Sequence, residues 1–257
     1  MTDSTVSLDD KYSIESGRIF VTGVQALARI PMVQRQRDVL EGLNTAGFIS
    51  GYRGSPVGGF DQQLWRAKKF LEQNHIRFQP GLNEDLAASA IWGSQQTNLH
   101  EGGKYDGVFA IWYGKGPGVD RCGDVFKHGN MSGPAKHGGV LLIAGDDHAA
   151  KSSTVPHQSE YAFMDASIPV LNPAGLQDIV DYGSLGFAMS RFSGCWVAFK
   201  TTAENMDSSA SIDVSPDRVK ISLPKFDMPE GGLSIRWPCL LYTSPSPRDL
   251  STSRMPS

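Results

Sequence analysis

Two adjacent carboxylates, Glu84 and Asp85, open the segment NEDLAASAIWGSQQ (83–96), and no further charged residue follows until Glu101. Asn83 suits the cap of a helix, and acids in the first turn complement the helix dipole. Capping is one reading of the pair. The other comes from the rest of the segment. Ala87, Ala88, Ser89, Ala90, Gly93 and Ser94 are small and uncharged, as in a helix packed closely against another element, across a domain or subunit interface. Lost hydration raises the pKa of a carboxyl group at the mouth of a buried helix unless the group is paired, a condition common among acid–base groups of active sites.

Other chemistry-bearing residues sit in glycine-rich stretches. GYRGSPVGG (51–59) has glycines that permit close backbone approach, and Ser55-Pro56 suits the N-cap and first position of a following helix. It matches neither the P-loop nor GxGxxG, so a structural turn and a binding loop are equal readings. GKGPGVDRCGD (114–124) contributes Lys115 and Arg121. In GDDHAAKSS (145–153), Asp146 and Asp147 with the later Asn172 loosely mimic the GDG…N signature that holds Mg²⁺ and diphosphate in thiamine diphosphate enzymes. Asp147 replaces the second glycine, and a candidate helix and strand precede Asn172. A polar loop network of Asp146, Asp147, His148 and Lys151 is the competing reading. The histidines show no HExxH spacing, and no GxSxG elbow is present.

Alternating strands and helices must position these residues. Short runs, mostly apolar on both faces, fall at 46–51, 76–79, 108–113, 140–144, 168–171 and 196–200, as expected for parallel strands covered on both sides. Helices are expected at about 25–43, 60–73, 84–99, 119–128, 158–163 and 176–192. The pattern predicts an α/β fold with a doubly wound, mostly parallel sheet of about six strands. In such sheets ligands bind beyond the carboxyl ends of the strands, where these glycine-rich loops fall. The expected organisation is an N-terminal arm (1–17), one α/β domain (18–212), a connector to a downstream domain (213–238) and a tail (239–257).

The chain of 257 residues has a formal net charge of −3, so no basic footprint points to nucleic acid. No apolar run reaches the length of a membrane span, and the polar, acidic start MTDSTVSLDDKY is unlike a signal or transit peptide. The cytoplasm is the expected compartment. Cys122, Cys195 and Cys239 form no CxxC-type zinc or iron–sulfur motif, and Cys122 and Cys195 read as buried free thiols. The tail CLLYTSPSPRDLSTSRMPS has no helical or strand period beyond its first residues and resembles translated sequencing-adapter read-through.

Five blocks in order, SGYRGSPVGGFD, FQPGLNEDLAASAIWGSQQ, WYGKGPGVDRCGDVFKHGN, GGVLLIAGDDHAAKSSTVPHQSE and SGCWVAFKTT, resemble the N-terminal part of the large fused indolepyruvate ferredoxin oxidoreductases. The resemblance spans about residues 9–238. Weaker similarity extends to other 2-oxoacid:ferredoxin oxidoreductases, whose loop resembles YPGTP or YPITP and here reads Tyr52-Arg53-Gly54-Ser55-Pro56. It implies a domain that binds the aminopyrimidine of thiamine diphosphate. Glu84 would share a proton with ring nitrogen N1′, and the 52–56 loop would line the pyrimidine or substrate end. Lys115 and Arg121 would face the substrate carboxylate.

The same resemblance places diphosphate and Mg²⁺ in a downstream domain, with no metal held by this chain. Any iron–sulfur cluster would also lie outside it. The implied partners are that downstream domain in a homodimer, ferredoxin, and CoA with a 2-oxoacid as substrates. The chain would then be a fragment, inactive alone. A non-catalytic interaction or scaffold domain of the same fold is the alternative, since fold does not fix function. A self-contained Mg²⁺-dependent enzyme using Asp146, Asp147 and Asn172 is a third reading.

Overall fold

The computed structural model describes residues 7–99 and 101–225, together with Asp227 and Leu233. The expected tail at 239–257, with Cys239, lies outside the described residues, as does most of the connector beyond residue 225. The strands are β1 (Arg18–Thr22), β2 (Ala46–Gly51), β3 (Ile76–Phe78), β4 (Val108–Lys115), β5 (Val140–Asp146), β6 (Val170–Leu171), β7 (Val197–Thr202) and β8 (Ser209–Asp213). The helices are α1 (Asp10–Ser13), α2 (Gly23–Leu40), α3 (Phe60–Arg66), α4 (Lys68–Gln73), α5 (Glu84–Ser94), α6 (Gly116–Arg121), α7 (Gly123–Ser132), α8 (Glu160–Asp165), α9 (Leu176–Ser193) and α10 (Ala203–Met206).

Six strands form one fully parallel sheet in the order β3-β2-β4-β5-β7-β6. All six are those read from the apolar runs. Helices cover both faces, so the α/β doubly wound expectation holds. On one face α2, α3, α4 and α9 enclose Ile49, Ile111, Tyr113, Leu141, Ile143, Val197 and Phe199. On the other, α5, α6, α7 and α8 cover Ala110, Trp112, Leu142, Ala144 and Ala198. Alternate residues of each strand supply the two cores, which is why the runs are apolar throughout.

Local chemistry explains several boundaries. Thr22 and Gln25 make a reciprocal capping box, so α2 starts earlier than the apolar period suggests. Gly194 adopts a left-handed conformation (φ 73°) and closes α9 where expected. The expected helix at 60–73 is broken at Ala67, and that at 119–128 is broken at Cys122. The second pair also begins earlier, at Gly116, because Pro117 fits a first helical turn.

Three features were not anticipated. β1 and β8 pair antiparallel in a separate two-stranded sheet, Arg18 opposite Asp213 and Thr22 opposite Ser209. The two segments are short and exposed on alternate positions, so neither stands out as a buried strand. The described part of the N-terminal arm packs onto the domain: Tyr12 is buried, its hydroxyl donates to Gln63, and its carbonyl accepts from the buried Arg29. The start of the connector does the same, with Arg37 Nη1 donating to the carbonyls of Pro216 and Val219.

Candidate functional site

The strand order creates a crevice. From β2 the chain passes outward to β3, then crosses back to β4 on the other side of β2. Connections after β2 and β4 therefore leave in opposite directions, and the space beyond their carboxyl ends is a topological switch point. Gly51 and Tyr113 face each other across this end, with the Tyr52 amide donating to the Tyr113 carbonyl at 3.0 Å.

Backbone bonding delivers Glu84 to the same place. After β3, the amides of Gln79 and Gly81 donate to the carbonyls of Ile49 and Gly51, each at 2.9 Å, so the segment follows β2 to its end. A Cβ on Gly81 would lie 2.7 Å from both Ala87 Cβ and the Asn83 carbonyl, so this close turn requires glycine. Asn83 then caps α5, its Oδ1 accepting from the Leu86 amide at 2.9 Å. The buried Trp112 indole donates to the Glu84 carbonyl at 3.1 Å and pins the first turn to β4.

The two acids diverge here. Asp85 accepts from Arg121 Nε at 2.6 Å, and this carboxylate holds the guanidinium above its ordinary pKa. Burial, with Asp85 next, pushes the Cys122 thiol well above its usual range, so Cys122 is a protonated packing group rather than a nucleophile. The half-buried Glu84 carboxylate takes no hydrogen bond and no ion pair among the described residues. It rests against α6, where a Cβ on Gly118 would fall 2.6 Å from Glu84 Cγ and 2.9 Å from Oε1.

The four residues 115–118 touch every wall of the crevice. A Cβ on Gly54 would meet Lys115 Cδ at 2.7 Å, which brings the 52–56 loop against the lysine stem. Lys115 Nζ donates to the Ser152 carbonyl at 2.9 Å. A Cβ on Gly116 would lie 2.4 Å from the His157 ring, whose Nδ1 is 3.6 Å from Asp120 Oδ2. Gly118 receives Glu84. The glycines of GKGPG are thus spaces for neighbouring side chains, among them His157, a residue that sequence reasoning did not assign and that no sequence signal pointed to.

Several expectations change. Ser55-Pro56 does not begin a helix: its peptide bond is cis, the chain turns there, and α3 starts only at Phe60 with Gly59 before it. Gly58 and Gly59 extend the turn past the proline. Arg121 lies on α6 with its guanidinium on Asp85. Cys195 is half-buried, not buried.

Asp146 and Asp147 are bound by the protein itself, against the Mg²⁺ reading. Asp146 accepts from the Ser159 amide and hydroxyl and lies 3.7 Å from Lys200 Nζ. Asp147 accepts from the amides of Lys151 and Ser152, hydrogen bonds that hold it below the usual aspartate range. Asn172 is exposed, and among the described residues no three or more His, Cys, Asp or Glu side chains group to hold a metal ion.

A depression of about 570 Å³ follows the edge strand β3 past Trp65, Lys68, His75, Phe78 and Tyr105, and none of the expected site residues lines it. A smaller cleft of about 240 Å³ at the end of β2 is lined by Tyr52, Arg53, Asp61, Trp65, Pro80 and Gly81. Of the expected site residues, the smaller cleft takes in Tyr52 and Arg53. Among the described residues no helix is long and apolar enough to cross a membrane.

No family model matches the chain, and no curated protein matches it. Among solved structures it is similar to the 2-oxoglutarate:ferredoxin oxidoreductase from Magnetococcus marinus with 2-oxoglutarate, coenzyme A and succinyl-CoA bound. The TM-score is 0.60 at 14% identity, over 80% of this chain and 33% of that one. The likeness is one of fold, and the chain spans about a third of the length of that protein.

Proposed function

We propose that this chain supplies the aminopyrimidine half of a thiamine diphosphate site in an oxidoreductase that decarboxylates 2-oxoacids, aryl pyruvates such as indolepyruvate, to acyl-CoA with ferredoxin as electron acceptor. The observation that carries the reading is the contrast between the acids. Asp85 is neutralised by Arg121, while Glu84, one residue away at the switch-point crevice, has a carboxylate without a partner among the described residues. A ring nitrogen that shares a proton is the partner such a carboxyl lacks. The absent Cβ of Gly118 gives the side chain its resting place, and the indole of Trp112 fixes its backbone. The residues present therefore fit the pyrimidine edge of the cofactor.

When bound, thiamine diphosphate supplies the electron sink that decarboxylation requires. The chain's own residues do the rest of this half-site. Glu84 holds a proton at the ring nitrogen, and Tyr52 to Pro56 close one side over the end of β2. Lys115, held between Gly54 and the Ser152 carbonyl, offers an ammonium to a substrate carboxylate. Arg121 reaches substrate only by leaving Asp85. The diphosphate and Mg²⁺ are assigned to a partner domain, since Asp146 and Asp147 are already occupied by Ser159, Lys200 and loop amides.

The test is Glu84→Gln in the full-length protein that carries this chain. Turnover of the 2-oxoacid should fall at least ~100-fold, the scale of a lost acid–base group. The circular dichroism spectrum should not change, because no described hydrogen bond is lost. Near-normal turnover would reject the role and leave a non-catalytic interaction domain as the better reading.

A further inference from the structure

The loop between β5 and α8, residues 147–159, forms the third wall of the crevice, and both its ends converge on one buried cation. Lys200 lies on β7 and is 5% exposed. Its ammonium contacts Glu160 Oε1, the first residue of α8, and stands 3.7 Å from Asp146 Oδ2, the last residue of β5. Asp146 in turn holds Ser159, with its amide at 2.9 Å and its hydroxyl also bonded. The loop's entry and exit are thus closed on each other beneath the sheet's carboxyl edge. Inside the loop, Asp147 fastens the amides of Lys151 and Ser152, and the Asp147 carbonyl accepts from Ala150 and, at 3.4 Å, from His157. His148 Nδ1 lies 3.0 Å from the His157 carbonyl.

Two contacts carry this order to the crevice, the Ser152 carbonyl on Lys115 Nζ and the His157 ring on Gly116. We infer that Lys200 is a positioning residue of the site: it clasps both ends of the 147–159 loop and so fixes His157 and the partner of Lys115 at the crevice. The role is more than packing. An apolar side chain of similar volume would fill the space between β7 and α8, but it would leave two acids, Asp146 and Glu160, facing each other without a cation. Burial alone would raise the pKa of Glu160. The hydrogen bond from the Lys200 ammonium, with one from the Glu160 backbone, outweighs it and holds the acid below its ordinary range. Glu160 Oε2 is buried without a partner, so the pair is held by Lys200 rather than by a wider network.

The inference rests on the crevice being the site, and the experiment separates the two. Hydrogen exchange is followed by mass spectrometry on Lys200→Met, Lys200→Arg and the milder Glu160→Gln in the full-length protein. In Lys200→Met and Glu160→Gln, amides of 150–159 should exchange at least ~10-fold faster while those of β2 and β4 stay protected, because loop and sheet open as separate units. Lys200→Arg should restore most of the protection. In the same variants the KM for the 2-oxoacid should rise more than kcat falls. Unchanged loop exchange, or loop and sheet loosening together, would overturn the positioning role. Loop loosening without any change in KM would overturn its link to the site while leaving the Glu84 test untouched.

Discussion

The two faces of the sheet use their carboxylates in opposite ways. Under α2 and α9, Asp38 is fully buried and saturated. Arg191 grips it through Nη1 at 2.6 Å and Nη2 at 2.9 Å, Gln34 donates at 2.8 Å and Thr45 at 2.6 Å. Two 18-residue helices close that face over a continuous apolar core. On the other face the helices are shorter, and Glu84 stands half-exposed without a partner among the described residues. That face also leaves large apolar groups uncovered, with Leu82 86%, Leu86 52% and Met164 69% exposed. The saturated carboxylate of Asp38 ties α2 to α9. The other face presents the unpartnered Glu84 beside bare apolar groups, features that are costly unless used.

The largest effects test this division directly. Asp38→Ala should lower unfolding free energy by about 3–5 kcal/mol, because the partly buried Arg191 loses its anion and Gln34 and Thr45 lose their acceptor. Glu84→Ala should change stability by no more than about 0.5 kcal/mol, as for a surface substitution. Urea denaturation of both variants measures the contrast, and comparable losses would break it.

A finer probe is Gly118→Ala. The new methyl would displace Glu84, a flexible side chain, while alanine favours the helix over glycine. Stability should stay within about 1 kcal/mol of the parent, while the proposed 2-oxoacid turnover of the full-length protein should fall. A drop in melting temperature with intact turnover would mean that Gly118 serves packing alone.

Acid titration should distinguish loop from core. Hydrogen bonds from Ser152 and Lys151 depress the Asp147 pKa below its ordinary 3.8. A depressed carboxylate stabilises the fold fully above the ordinary value and loses that contribution as pH falls through the depressed one. Protection of the Lys151 and Ser152 amides should therefore be constant from neutral pH down to about 4, then decline before the amides of β5 do. Simultaneous loss in loop and strand would contradict an independently held loop.

The smallest expected change is Asp85→Asn. It removes the exposed ion pair with Arg121 and should barely move the melting temperature, as solvent-facing pairs contribute little. It also frees Arg121. A lowered KM for the 2-oxoacid in the full-length protein would give that guanidinium a substrate role. An unchanged KM would confine it to α5–α6 packing.

Much of this was legible in the chain. All six strands of the parallel sheet come from runs apolar on both faces, a pattern that few other environments tolerate. Asn83, Glu84 and the small-residue helix are visible as a capped helix with acids at its mouth. The antiparallel pair of β1 and β8 was not, because a short, half-exposed ribbon closed by residues nearly two hundred positions apart has no local period. The expectation that the whole small-residue helix is dry was too strong for the described chain. Ala87, Ala88 and Ile91 are buried, but Ser89, Ala90 and Gly93 are exposed, since a helix on a sheet buries one stripe only.

By itself the sequence determined the fold class, the helix start set by Asn83, and the short list of acids worth suspecting, because propensity, capping and strand patterning act between near neighbours. Only the tertiary structure shows that Arg121 pairs with Asp85 and leaves Glu84 without a partner among the described residues. Arg121 lies thirty-six residues from Asp85, and their pairing depends on how α6 lands beside α5. It also brought the His157 ring against Gly116 and the Lys200 ammonium between Asp146 and Glu160. Those contacts follow from strand order, and strand order is settled by packing across the whole sheet rather than by any segment of the chain.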